Sequence, residues 1–146
     1  MRRFTRALVL GTLGVLLISG TVFADSPHVI GSPSVTRSGN SLTIAASIAG
    51  LGNGSSATFD LTGSVDVFSR CYNRGGNKPQ ADNKQEQISV DTSKTFPVKN
   101  GRTDASFTIT PLSTLQCPGS QVVRIESFSY DLTISYGGTD LVHVTG

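Results

Sequence analysis

The chain has 146 residues, 12 Lys and Arg against 10 Asp and Glu, two Cys and no Trp. Three of the basic residues, Arg2, Arg3 and Arg6, fall in the first 24 positions, which read as a removable export signal, so the remainder sits close to a net charge of −1. That balance removes the electrostatic basis for binding nucleic acid or an anionic membrane, and about 122 residues suffice for one ordinary core.

The leader begins with basic Met1-Arg2-Arg3-Phe4-Thr5-Arg6, continues as an apolar run from Ala7 to Ser19 and ends in Val22-Phe23-Ala24. Small residues at Val22 and Ala24 suit cleavage between Ala24 and Asp25. The apolar run is too short to span a bilayer and no later stretch supplies a span. The expectation is therefore a signal peptide over 1–24 and one secreted domain over 25–146, extracellular or, in a host with an outer membrane, periplasmic. No cysteine stands at the cleavage point, so no lipid anchor is expected there. Cys71 and Cys117 in an exported chain are read as one disulfide, worth roughly 4 kcal/mol by loop closure. A metal site would need clustered His and Cys ligands, which the chain lacks.

In chain order, the segment from Asp25 to Arg37 carries Val29, Ile30 and Val35 but is broken by Pro27 and Pro33, as suits an edge strand. Ser38-Gly39-Asn40 reads as a turn. Leu42, Ile44, Ala46 and Ile48 then fall on alternate positions, the period of a strand with one buried face. Gly50 to Ser56 is the next turn; its glycines have no helix behind them to bring an amino terminus to a phosphate. From Phe59 the alternation runs through Leu61, Gly63, Val65, Val67, Ser69 and Cys71, which puts Cys71 on the buried face and Phe68 outward. Gly63-Ser64 is expected to mark a bulge or a crossing between sheets.

Arg70 to Lys84 interrupts the pattern, and a loop is expected over 72–86. Ile88, Val90, Phe96 and Val98 resume the alternation, and Asn100-Gly101 has the positive-φ tolerance of a tight hairpin. Ala105, Phe107 and Ile109 form the return strand, and a second loop over 111–121 holds Cys117-Pro118-Gly119. Val123 and Ile125 occupy odd positions, whereas Phe128, Tyr130, Leu132, Ile134 and Tyr136 occupy even ones, so a bulge belongs near Ser127. Gly137-Gly138 turns the chain into a last strand over 139–144.

Seven or eight short strands without a helical period predict an all-β protein, an immunoglobulin-like antiparallel β-sandwich. With no Trp, and with Cys117 between prolines and glycines, the disulfide is not the immunoglobulin core pin. It is expected to tie the 72–86 loop to the 111–121 loop at one end.

Taken as an ordered set, Gly50-Leu51-Gly52-Asn53, Cys71-x-Asn73-x-Gly75-Gly76-Asn77-x-Pro79, Lys99-Asn100-Gly101 and Cys117-Pro118 resemble elements of small exported bacterial proteins, common in actinobacteria, that have no assigned function. The likeness spans most of the mature chain. Where that pattern often has Pro-Gly-Gln-Asn after the proline and an aromatic soon after Cys-Pro, this chain has Gln80-Ala81-Asp82-Asn83 and Gly119-Ser120-Gln121, so if that loop binds and is not only a connection, its ligand is expected to differ. The resemblance implies a secreted β-rich fold and supplies no chemistry.

Residues for catalysis are sparse. The two histidines, His28 and His143, lie in expected edge segments, and Ser93-Lys94 are adjacent and so point to opposite faces of a strand. Asp91-Thr92-Ser93 lacks the glycine of an aspartic protease motif. The acids Asp60, Asp66, Asp82, Glu86 and Asp131 are too dispersed for a calcium loop, so no catalytic residue, metal or cofactor is expected. Asn53-Gly54-Ser55 is an acceptor only in a host that glycosylates. The richest surface is the 72–86 loop, where Tyr72, Asn73, Arg74, Asn77, Lys78 and Asn83 combine interface-type side chains with a glycine-rich backbone. The leading expectation is a non-catalytic module that binds an extracellular protein or glycan. A self-associating envelope component ranks second and a small hydrolase third.

Overall fold

A strand buries one face only if its apolar side chains recur every second residue, and this requirement organises the described residues into seven strands. In the computed structural model, residues 26–73, 75–76 and 82–146 are described. The expected signal peptide 1–24, its cleavage point at Ala24 and Asp25, and loop residues Arg74, Asn77 and Lys78 lie outside the described residues. The strands are β1 (His28–Ser38), β2 (Ser41–Ala49), β3 (Ser56–Tyr72), β4 (Asn83–Pro97), β5 (Thr103–Ile109), β6 (Val122–Tyr136) and β7 (Thr139–Thr145). Two antiparallel sheets result, ordered β1-β2-β5 and β4-β3-β6-β7.

The two sheets share one apolar core. Leu42, Ile44 and Ile48 of β2 and Phe107 of β5 pack with Phe59 and Leu61 of β3 and with Leu132 and Ile134 of β6. Aromatic rings link the layers: Tyr136 lies 5.0 Å from Phe59, Phe59 lies 6.1 Å from Phe96, and Phe96 lies 5.6 Å from Phe107. Such offset and edge contacts add to the area they bury.

Length sets the two sheets apart. β3 has 17 residues, and β4 and β6 have 15 each, whereas β2 has 9 and β5 has 7. The far end of β3 therefore runs past the three-stranded sheet. Val65, Val67, Ser69 and Cys71 lie there, all but closed to solvent, outside the shared core. The connection from β5 to β6 covers them. Along it Pro111 is buried and Ser113, Leu115 and Cys117 are half-buried, while Leu112, Thr114 and Gln116 are exposed, so residues 111–117 form an extended strap without a hydrogen-bonded ladder.

Two sequence expectations need adjustment and a third holds. The loop expected over 72–86 is a shorter connection over 73–82, because β3 continues through Tyr72 and β4 begins at Asn83. The period was hidden there because Lys84 and Glu86 occupy the strap-facing side of β4, opposite Ser69 and Val67. The bulge expected at Gly63-Ser64 is absent, since pairing to β4 and β6 runs unbroken through both residues. The bulge expected near Ser127 is present: Phe68 pairs with Ser127 and Ser69 with Ile125, which leaves Glu126 as the extra residue.

Gly63 has another role. Its φ is +136°, and a Cβ there would stand 2.1 Å from the Asp131 carbonyl oxygen, so only glycine lets β3 and β6 close on each other. Gly63→Ala should lower stability by roughly 2–3 kcal/mol, whereas Ser89→Ala, on an exposed position of β4, should stay within about 0.5 kcal/mol of the parent. Urea denaturation of both variants checks this; equal midpoints would show that the close approach carries no cost.

Candidate functional site

The disulfide end is built by two ties between the strap and the overhanging sheet. Cys71, fully buried near the end of β3, is bonded to Cys117 across 46 residues, with the two Cα atoms 5.6 Å apart. The expected bond is therefore present, and it joins a strand to the strap instead of one loop to another. Glu86 provides the second tie. Its Oε2 accepts from the Ser113 hydroxyl at 2.8 Å and the Thr114 amide at 2.9 Å, while Oε1 accepts from the Thr114 hydroxyl and stands 3.0 Å from Lys84 Nζ. Lys84 also donates to the Thr114 hydroxyl. The Thr114 hydroxyl, then Lys84, then Ser113 and the Thr114 amide hold the Glu86 carboxyl at about 2, below its ordinary 4.5, against an opposing contribution from desolvation.

The outer face of the same sheet carries a second cluster, organised by the β6 bulge. Glu126 accepts from the Tyr72 hydroxyl and stands 3.2 Å from Arg70 Nε, while the Arg124 guanidinium lies 4.9 Å from the Tyr72 ring centroid. Tyr72 is only 7% exposed, so it belongs to this cluster and offers a partner little surface. Phe68 points outward as expected, with the Arg70 guanidinium 5.2 Å from its ring. Of the expected binding residues, Asn73 is exposed in the connection and Asn83 opens β4 opposite Arg70. Three apolar side chains at this end are exposed, which hydrophobic periodicity does not announce: Leu112 is 74% exposed, Val122 47% and Val123 38%. The alternation of Pro111, Ser113, Leu115 and Cys117 was the available signal, since it turns Leu112 outward.

The remaining candidates stand apart. His28 opens β1 and bonds through Nδ1 to the Ser26 carbonyl at 2.9 Å, whereas His143, in β7 of the other sheet, lies 2.8 Å from Asp131. Among the described residues neither ring is hydrogen-bonded to a serine or threonine hydroxyl. Asp91 pairs opposite Thr62, and Ser93 donates to Asp60 across β3 and β4. Among the described residues no group of three or more His, Cys, Asp or Glu could hold a metal ion.

The opposite end, formed by the β2–β3 and β4–β5 turns, holds two adjoining recesses of about 540 Å³ and about 320 Å³ that share Arg102. Lys99 and Arg102 flank the Asn100-Gly101 turn, which has φ values of 52° and 70° as the hairpin expectation requires.

Neither any protein-family model nor any curated protein matches the chain.

The Glu86 tie has a defined pH dependence. A carboxyl depressed in the folded state contributes stability above its ordinary value of 4.5 and loses it as pH falls toward about 2. The hydrogen-exchange protection of the Thr114 amide should therefore fall across that window, and Glu86→Gln should remove the dependence while leaving the disulfide formed. A protection factor that is flat with pH in the parent protein would count against the tie.

Proposed function

We propose that the mature chain is a secreted, non-catalytic binding module of immunoglobulin-like kind, and that its disulfide end contacts an extracellular protein or glycan. Export rests on the leader-like first 24 residues, and a disulfide is compatible with an oxidising compartment. The resemblance to exported bacterial proteins points the same way. The strand order supports the immunoglobulin-like reading: lettered A to G in chain order, the strands form sheets A-B-E and D-C-F-G. The constant-type arrangement is A-B-E-D and C-F-G, so one strand, β4, has changed sheets.

The observation that carries the binding reading is the exposure of Leu112, Val122 and Val123 on and just beyond a strap tied at two points. Apolar side chains held outward on an anchored backbone lose little conformational freedom on binding. A second reading, self-association, is favoured by the edge of β6. β7 pairs only with Asp131–Tyr136, and Gly146 with Tyr130, so along Val122–Ser129 the described partner strand is β3 alone. An open edge of this kind invites strand addition.

The test immobilises oxidised residues 25–146 beside the Leu112→Ser/Val122→Ser variant and passes the producing organism's culture fluid and wall fraction over both. Retention of one component by the parent and at least tenfold less by the variant is the expected outcome. Equal retention on both columns would remove the disulfide end as the site. Sedimentation equilibrium in parallel separates the second reading, which requires mass to rise with concentration.

A further inference from the structure

The turn end carries a feature that the proposed function does not use. Lys99 and Arg102 exchange both backbone hydrogen bonds, Lys99 N–H to Arg102 O at 2.9 Å and Arg102 N–H to Lys99 O at 3.0 Å. They are thus a hydrogen-bonded cross-strand pair across a two-residue turn, with both side chains on one face. Like charges directly opposite one another destabilise a ladder. Neither cation has an ion pair, side-chain hydrogen bond or ring contact among the described residues. Both side chains are exposed, so water screens the repulsion, yet two cations set side by side on a two-residue turn leave a concentrated positive charge that suits an anionic group.

The surroundings indicate what relieves it. The larger recess is lined by Ile30, 39% exposed, and Pro97, and its polar groups include Ser47 and Asp104 besides the two cations. The smaller recess continues from Arg102 to His28, Asn53 and Asn100. Their volumes fall in the range of small-ligand sites. The walls are pre-formed: the Leu51 amide donates to the Gly101 carbonyl at 3.1 Å, and a Cβ on Gly101 would stand 3.2 Å from Gly52 O, so backbone contact locks the two turns together. Asp104, whose carboxylate already accepts from Ser47, sets a negative charge in the recess. That charge disfavours a dense polyanion but suits a ligand carrying both a carboxylate and hydroxyl groups.

We propose that this end of the molecule binds an acidic saccharide. Arg102 and Lys99 take the carboxylate of a uronic acid residue, Asn53, Asn100 and Asp104 meet its hydroxyls, and Ile30 and Pro97 carry its apolar ring face. The planar guanidinium of Arg102 matches a carboxylate with two parallel hydrogen bonds. The site is separate from the disulfide end and does not depend on the partner proposed there.

The test is calorimetry of oxidised residues 25–146 with trigalacturonate, neutral galactotriose and tripolyphosphate, at low salt and at 0.2 M salt. Trigalacturonate should bind more tightly than either alternative, and its affinity should weaken with salt. Lys99→Gln/Arg102→Gln should lose at least tenfold in affinity while the thermal midpoint of the free protein stays level or rises, because the repulsion has gone. Arg124→Gln, at the other end, should bind as the parent does. The proposal is overturned by no binding at low salt, by galactotriose or tripolyphosphate binding as tightly, by full affinity in the double variant, or by a midpoint that falls in it. Loss in Arg124→Gln alone would move saccharide binding to the disulfide end and overturn this site.

Discussion

β3 is 17 residues long, while the strands facing it from the other sheet have 9 and 7, so its apolar face continues where no sheet remains to cover it. Val65, Val67 and Cys71 would otherwise stand in water, at a cost on the order of 1–3 kcal/mol for each large side chain. The chain meets this need with the β5–β6 connection, which must travel between sheets in any case. A strap without a ladder satisfies few of its own backbone groups. It therefore needs side-chain anchors, and the sequence supplies them at Ser113, Thr114 and Cys117. At the bulged side of the same overhang, Arg37 at the end of β1 places its guanidinium 3.9 Å from the centroid of the Phe128 ring.

This mismatch also explains what could be read from the sequence. Where both sheets are present, burial obeys strict alternation: Leu42, Ile44, Ala46 and Ile48 of β2 and Ala105 and Phe107 of β5 are buried as the pattern requires. The Glu126 bulge was legible for the same reason, because an inserted residue shifts every later apolar position by one. Under the strap the pattern fails. Lys84 and Glu86 face the covered side yet are charged, since their partners are the hydroxyls and amide of the strap. Periodicity of hydrophobicity cannot detect a face buried by ionic and hydroxyl contacts, so the start of β4 reads as a loop in the sequence. Tyr72 went with it: an aromatic beside glycines reads as a binding residue until Glu126 and Arg124 are seen to enclose it.

The turn end was legible in its backbone and hidden in its chemistry. Asn100-Gly101 announces a two-residue hairpin, and that geometry alone places positions 99 and 102 opposite one another. The like charges at those positions were visible in the sequence. Their lack of partners among the described residues was not, because it depends on which acids the other strands bring near, and Asp104 is taken up by Ser47. Gly63 is similar: alternation placed it on the strand, but the approach of Asp131 that excludes a side chain is a tertiary fact.

The two ties on the strap act on a single segment, and this sets how they combine. Thr114 and Cys117 are three residues apart, so once the disulfide has fixed Cys117 against β3, Thr114 is confined within about 10 Å of Cys117, on the side of the sheet where Glu86 meets it. The ordering entropy of that short stretch is then largely spent, and the Glu86 contacts form at high effective concentration. The reverse also holds, because thermodynamic coupling is reciprocal: an ionised Glu86 that holds Ser113 and Thr114 brings Cys117 close to Cys71. One tie responds to protons and the other to reductants, so neither acid alone nor reduction alone frees the strap that carries Leu112. The exposed apolar surface at this end therefore keeps one anchor when the other is lost.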